Sequence, residues 1–203
     1  MNRREALRQV AWLMGGAISA PAVLGVLKGC SAKQSADWKP VFLSEEQGGI
    51  VADIAELIIP RTATPGAKDV GVPAFIDVML KDTYPKKDQD RFLAGIKDLD
   101  EEAKRAHHQP FLKLSTDERL ELVRRLHDSA AASERELNVP TTQLERPFIL
   151  MMKELTLLGF FTSEVGVQQV LQYAAVPGSF QACVPLDQAG NGKTWATEAS
   201  LRF

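Results

Sequence analysis

The chain has 203 residues, 45% of them hydrophobic, and its 24 basic and 26 acidic side chains leave a formal net charge of −2. That length suits one ordinary domain and is enough to bury a core. A mildly acidic chain without a basic cluster argues against nucleic acid as a partner, because a phosphate backbone needs a positive face.

The leader comes first. Arg3 and Arg4 stand ahead of a soft apolar run from Val10 to Leu27, and the run ends at Gly29-Cys30. A positive start, an apolar middle and a small-residue exit are the three zones of a secretory signal. The middle, about 18 residues, approaches the roughly 20 that a membrane-spanning helix needs, but Gly15, Gly16, Ser19, Pro21 and Gly25 weaken it. A mild run behind paired arginines matches a twin-arginine (Tat) export signal, a route for proteins already folded, better than a stop-transfer anchor. Asn2, Ala6 and Arg8 depart from the residues usual at those places. An ordinary secretory signal with two arginines as its charge is the alternative.

Leu27-Lys28-Gly29-Cys30 resembles a lipobox, with Lys28 standing where a small or apolar residue is usual. The reading is a signal peptide over 1–29, a lipidated Cys30, and a small, polar tether over 30–43. Without lipidation, Cys30 is a plain thiol. Cleavage before Cys30 removes Arg3, Arg4, Arg8 and Lys28 with only Glu5, which takes the net charge from −2 to −5. It also leaves Cys183 as a lone thiol. In an oxidising compartment such a cysteine is buried or paired with another chain, and burial is the expectation.

The body reads as helical throughout. Ile50, Val51, Ile54, Leu57 and Ile58 line one face of a first helix, opened by a capping box of Ser44 and Gln47 and stopped by Pro60. Val72, Phe75, Ile76, Met79 and Leu80 repeat the pattern, with Pro73 in the permitted first turn. Phe92, Ile96, Leu99 and Ala103 mark a third helix whose other face is almost all charge. Ser115 and Glu118 form a second capping box, ahead of Leu120, Val123 and Leu126. The fifth segment, Phe148 to Phe161, is apolar nearly all round, which marks a helix buried on most sides. A short sixth helix is expected after Ser163, with Val167, Val170 and Leu171 inward. No stretch alternates with period two for long enough to make a sheet. The expected fold is all-α: a single-domain bundle of about six helices, with an irregular C-terminal tail over 187–203.

From Val176 onward the chain is rich in Gly, Pro and small polar residues, with isolated Phe180, Trp195 and Phe203. Such a tail is either disordered or laid along a partner, and aromatic anchors of this kind recur at interface centres.

Nothing in the sequence assembles a catalytic centre. His107 and His108 read as an exposed helix end, and His127 as a core-edge residue, with no carboxylate or cysteine at ligand spacing. Gly190-Asn191-Gly192-Lys193-Thr194 has the last letters of a phosphate loop, but Asp187 stands where the first glycine is needed. There is no dinucleotide fingerprint, no haem-attachment motif and no nucleophile elbow. No catalytic, cofactor-binding or metal-binding residue is therefore expected. An exported chain without a cofactor cradle suggests the signal-bearing member of a complex, whose partner holds the cofactor.

Two segments carry a family resemblance. One runs from Ile58-Ile59-Pro60-Arg61-Thr62-Ala63-Thr64-Pro65-Gly66-Ala67-Lys68 through Gly71-Val72-Pro73 to Phe75-Ile76-Asp77. The other runs from Leu157-Leu158-Gly159-Phe160-Phe161-Thr162-Ser163-Glu164 to Val176-Pro177-Gly178 and Cys183-Val184-Pro185-Leu186, with Phe111-Leu112-Lys113-Leu114 between them. Together they resemble the gluconate 2-dehydrogenase subunit 3 family over residues 44–186.

The resemblance implies a small, non-catalytic subunit of a membrane-associated sugar, sugar-acid or alcohol dehydrogenase. Its large partner would be an FAD-dependent flavoprotein of the glucose–methanol–choline type, sometimes joined by a c-type cytochrome. The small subunit would escort it through the Tat translocase to the periplasm, and Cys30 would tether the complex to the membrane. The alternative is a stand-alone lipid-anchored binding module of the envelope. Candidate partner-contact residues are Pro65, Gly66, Ser163, Glu164, Pro177, Gly178, Phe180, Cys183 and Trp195. Pro65-Gly66 also reads as a turn dipeptide with glycine free for positive φ, and Ser163 with Glu164 as a helix start, so local roles compete with contact roles.

Overall fold

The computed structural model describes residues 38–137, 146–174, 183–185, 187–188 and 192–196, and the export segment with Arg3, Arg4 and Cys30 lies outside them. Among the described residues five α-helices form: α1 (Glu45–Ile58), α2 (Val72–Asp82), α3 (Lys86–His107), α4 (Thr116–Leu137) and α5 (Phe148–Phe161). A 3-10 turn, Phe111–Lys113, joins α3 to α4, and a π-type turn, Gly166–Val170, follows α5. No strand forms among the described residues, and a single parallel bridge pairs Gln172 with Trp195.

Two helices, α1 and α4, begin where the sequence supplies side-chain partners for the free N–H groups of a first turn. Ser44 Oγ accepts from Gln47 N–H, and the Gln47 side chain accepts from Ser44 N–H, so the first capping box is complete. The second works the same way. Ser115 donates N–H and hydroxyl to Glu118 Oε2, and those bonds hold the Glu118 carboxyl below its usual range. α2 starts with Pro73 in its first turn, after Gly71 at φ 77°, a left-handed conformation that favours glycine. At its C-terminus α3 turns off through His108 at φ 58°.

α5 is the axis of the fold. Phe148–Met152, Leu155, Thr156, Gly159 and Phe160 are all buried, and the helix packs against each of α1, α2, α3 and α4. Its 14 residues span about 21 Å at 1.5 Å per residue, and no described helix is long and apolar enough to cross a membrane. The other helices turn their stripes toward it: Ile50, Val51 and Ile54 from α1, Ile76 and Leu80 from α2, and Phe92, Ile96, Leu99 and Ala103 from α3. In α4 the inward residues are Leu122 and Val123, while Leu120 and Leu126 are only half-buried. The stripe is thus centred on Leu122 and Val123, with Leu126 and Ala130 packed half-buried against the core.

Two glycines set how closely the helices approach. A Cβ on Gly95 of α3 would overlap the side chain of Phe148, and that ring meets Phe92 edge-on at 4.9 Å between centroids. A Cβ on Gly159 of α5 would stand 2.6 Å from Cδ1 of Phe75 on α2.

The expected short helix does follow Ser163, but its Gly166–Val170 part is π-type; Val170 packs half-buried against the core, and Val167 and Leu171 are half-buried. Its Gly166 comes so close to the Phe160 carbonyl that no side chain would fit. Residues 41–43, expected to belong to a tether, are instead fixed to the helical body, because Val41, Phe42 and Leu43 donate their N–H groups to the buried Asp77 carboxylate, at 2.6, 3.1 and 2.8 Å. The described end of the tail is not loose: Gln172 N–H donates to Thr194 O, Ala196 N–H to Gln172 O, and Lys193 Nζ to Gln169 O.

Replacing Gly95 by Ala improves the intrinsic helicity of α3 but forces it away from Phe148. The expected outcome is net destabilisation of about 2 kcal/mol, as for an overpacked core, read as a lower thermal midpoint with unchanged helical content by circular dichroism.

Candidate functional site

The first signature segment is a loop folded on its own side chains. α1 stops at Pro60, and the chain then has to satisfy a run of backbone donors without helix or sheet. Glu56, one turn before the helix end, accepts Arg61 N–H at 2.9 Å and Lys68 N–H at 3.0 Å, one bond to each oxygen. Asp69 accepts Gly66 N–H at 2.9 Å and pairs with the Arg61 guanidinium through both carboxylate oxygens. Ala67 N–H donates to Ile59 O, closing the loop at its neck. The hydrogen bond from Arg61, above all, holds the Asp69 carboxyl below the usual range, and the same bond raises Arg61.

Within this loop Pro65 is half-buried and Gly66 buried. Gly66 does not take positive φ, as the turn reading expected. Its need for glycine is steric: a Cβ there would stand 2.7 Å from Arg61 N and overlap the Glu56 carboxylate. The loop shows solvent Arg61, Thr62 and Ala63 instead.

Beside the loop sits a chain of charges that crosses three elements. Asp53 of α1 binds Lys68 Nζ with one oxygen and the Arg119 guanidinium of α4 with the other, each at 2.5 Å. Arg119 also donates to Leu112 O at 2.8 Å and lies over the Phe111 ring, 5.8 Å from its centroid. Leu57, Pro60, Thr116 and Leu120 complete a cleft of about 310 Å³ at this spot. With two cations and two carboxylates the cleft has no net sign, so it offers no anion trap. A second, more apolar cleft of about 400 Å³ lies between α3, α4 and the start of α5, lined by Leu99, Leu126, Ala130 and Phe148 among others.

The second signature segment ends α5. Ser163 Oγ donates to Phe160 O at 2.6 Å and accepts Gly166 N–H at 3.0 Å, and Glu164 faces solvent. Beyond the π-type turn, the Gln172–Trp195 bridge places two exposed aromatics on one ledge, Tyr173 at 56% and Trp195 at 38% exposure. Cys183, expected to be buried, is exposed. Pro177, Gly178 and Phe180 lie outside the described residues. The two signatures meet in the fold, since Phe75 of the first packs on Gly159 of the second.

The histidines stay apart. His107 Nδ1 is 3.5 Å from Glu118, His108 is an exposed helix cap, and His127 lies 3.1 Å from Asp128 and 3.2 Å from Lys153 Nζ. Among the described residues no group of three or more His, Cys, Asp or Glu side chains is placed to hold a metal ion. Gly192 turns at φ 77°, and Lys193 and Thr194 after it are tied to Gln169 and Gln172.

Sequence reading missed Asp53, Glu56 and Arg119 and quoted Asp77 only as part of a signature. Asp77 left a trace: it is a charge on the stripe of α2 that holds Pro73, Ile76 and Leu80. Glu56 left none, because a carboxylate that accepts loop N–H groups looks like any surface glutamate.

Two variants test the loop. Gly66→Ala is expected to expel either Glu56 or the Arg61 backbone, lowering the thermal midpoint, whereas Ala63→Gly on the exposed tip leaves it nearly unchanged. The Arg61–Asp69 pair gives a pH signature. A carboxyl held below its unfolded value stabilises fully above that value and loses the contribution as pH falls through the lower folded one. The gap in thermal midpoint between the wild type and Asp69→Asn should therefore be open at neutral pH. It should close in acid below the ordinary aspartate value of about 3.9.

A sequence profile described as gluconate 2-dehydrogenase subunit 3 matches residues 45–178. No curated protein and no solved structure matches the chain. The matched stretch runs from α1 to just past the Tyr173 ledge, so it contains all five helices, the Glu56–Asp69 loop and the Asp77 anchor. The chain therefore belongs to the gluconate 2-dehydrogenase subunit 3 family, the accessory subunits of a dehydrogenase complex.

Proposed function

We propose that this subunit escorts an FAD-dependent dehydrogenase of the glucose–methanol–choline type through twin-arginine export and then helps hold it at the membrane. The observation that carries the reading is a juxtaposition. Arg3-Arg4 and Gly29-Cys30 precede a domain whose family is named as a subunit of a dehydrogenase. The Tat route passes folded proteins, so a signal on one chain can serve a partner already bound to it. FAD belongs to that partner, which oxidises a sugar, sugar acid or alcohol, and a c-type cytochrome is a further candidate member. The complex resides on the periplasmic side, tethered through lipidated Cys30.

Contact with the large subunit is assigned to the Tyr173–Trp195 ledge, the exposed Cys183, Glu164 at the end of α5, and the tail residues Pro177, Gly178 and Phe180. The ledge supports this most directly: two aromatics stand exposed on backbone that is pinned in place, and rigid aromatics anchor interfaces at little entropic expense. Pro65 and Gly66 act from beneath, by shaping the loop that presents Arg61 and Thr62.

The test replaces Arg3 and Arg4 together by Lys and follows both chains by cell fractionation. Escort predicts that the flavoprotein stays in the cytoplasm with its small subunit, and that flavin absorbance co-purifies with this chain from the wild-type envelope. A flavoprotein still exported in the variant carries its own signal, and the escort role falls. Recovery of this chain alone from the wild-type envelope points instead to a stand-alone lipid-anchored binding module.

A further inference from the structure

Trp38 to Leu43 precede the first helix and belong to no regular element, yet they are fixed at both ends. Three consecutive N–H groups, of Val41, Phe42 and Leu43, converge on the two oxygens of Asp77. Asp77 is fully buried on α2, so this one carboxylate replaces the ladder that a strand would need. At the other end Trp38 and Pro40 lie against Gly48 of α1, where a Cβ would stand 2.8 Å from Pro40 Cγ and 3.1 Å from Trp38 Cη2.

The hold is concentrated in few places. Leu43 joins the buried core and Phe42 packs half-buried against it, while Val41 is 59% exposed, Lys39 is exposed, and Trp38 and Pro40 are half-buried. The rest of the core comes from the helices and the loops between them. A segment whose core contacts come from two neighbouring side chains, Phe42 and Leu43, and whose backbone bonds gather on one carboxylate can open locally while a packed body stays closed.

We propose that Trp38–Leu43 is a latched strap, with Asp77 as the catch, that opens as a unit from an intact helical body. The three donors use both carboxylate oxygens of Asp77, one on Oδ2 and two on Oδ1. An amide offers one acceptor oxygen and turns its own NH₂ toward N–H groups.

The strap adjoins the segment that leads to Cys30. Latched, the stretch between them is the seven residues Ser31 to Asp37, a reach of at most about 25 Å at the extended spacing. Unlatched, six more residues join it, for about 20 Å of added reach. This last consequence rests on the anchoring reading of Cys30, whereas the latch itself does not.

The test is hydrogen–deuterium exchange on the full chain, in detergent where the leader requires it, for the wild type, Asp77→Asn and Gly48→Ala. Gly48→Ala leaves Asp77 in place and improves the helicity of α1, but its methyl group pushes Pro40 and Trp38 away. In the wild type, amides 41–43 should exchange at least tenfold faster than those of Leu150–Leu155. Both variants should accelerate the strap a further tenfold while α3 and α5 stay within threefold. If Asp77→Asn loses protection throughout, Gly48→Ala alone decides. Strap and α5 exchanging at one shared rate in the wild type overturns the proposal, and so does a strap in Gly48→Ala as protected as in the wild type.

Discussion

A 14-residue helix that is apolar nearly all round is not stable alone in water, and α5 is such a helix. Four other helices have to surround it, each with a stripe of large side chains, before its surface is removed from solvent. Phe92, Ile96 and Leu99 come from α3, Ile50 and Ile54 from α1, Ile76 and Leu80 from α2, and Leu122 from α4. Gly95 and Gly159 let two of these neighbours approach where a methyl group would already collide. The remaining architecture follows from that demand, because short helices packed on a short axis need tight connections between them.

Those connections use carboxylates where longer proteins would use strands. Glu56, Asp69 and Asp77 each accept backbone N–H groups from loops that have no ladder of their own. Asp53 ties Lys68 and Arg119 across α1, the signature loop and α4. An acidic side chain is suited to this work, since it accepts at two oxygens and its charge strengthens each bond. Several acids that lower the formal charge of the domain are therefore structural fasteners rather than surface solvation.

The separation of fasteners from display surfaces bears on function. The signature residues Pro65, Gly66 and Ser163 are occupied in shaping turns, while the exposed features are Arg61 at the loop tip, Tyr173, Trp195 and Cys183. A sequence signature of this kind preserves the frame that holds a contact surface as much as the surface itself. On the escort reading proposed above, such a division supplies a rigid frame and a few anchors pinned to it.

The helices were legible in the sequence because their causes are local. Ser44 with Gln47, Ser115 with Glu118, Pro73 at a first turn and the 3.6-residue spacing of Phe92, Ile96, Leu99 and Ala103 all act within a few residues of themselves. The family signatures were readable for the same reason, as short runs of fixed residues. What only the tertiary structure decided are interactions between residues far apart in the chain. Asp77 reaches Val41–Leu43 over more than thirty positions, Arg119 reaches Asp53 over 66, and Trp195 returns to Gln172. Cys183 was misjudged because thiol burial is a statistical habit, whereas exposure depends on whether any core surface lies within reach. Gly66 was assigned the wrong cause because a turn dipeptide shows that glycine is needed but not which atom would collide. Periodicity and capping are written in neighbouring letters, while the partner of a buried charge is set only when the chain closes on itself.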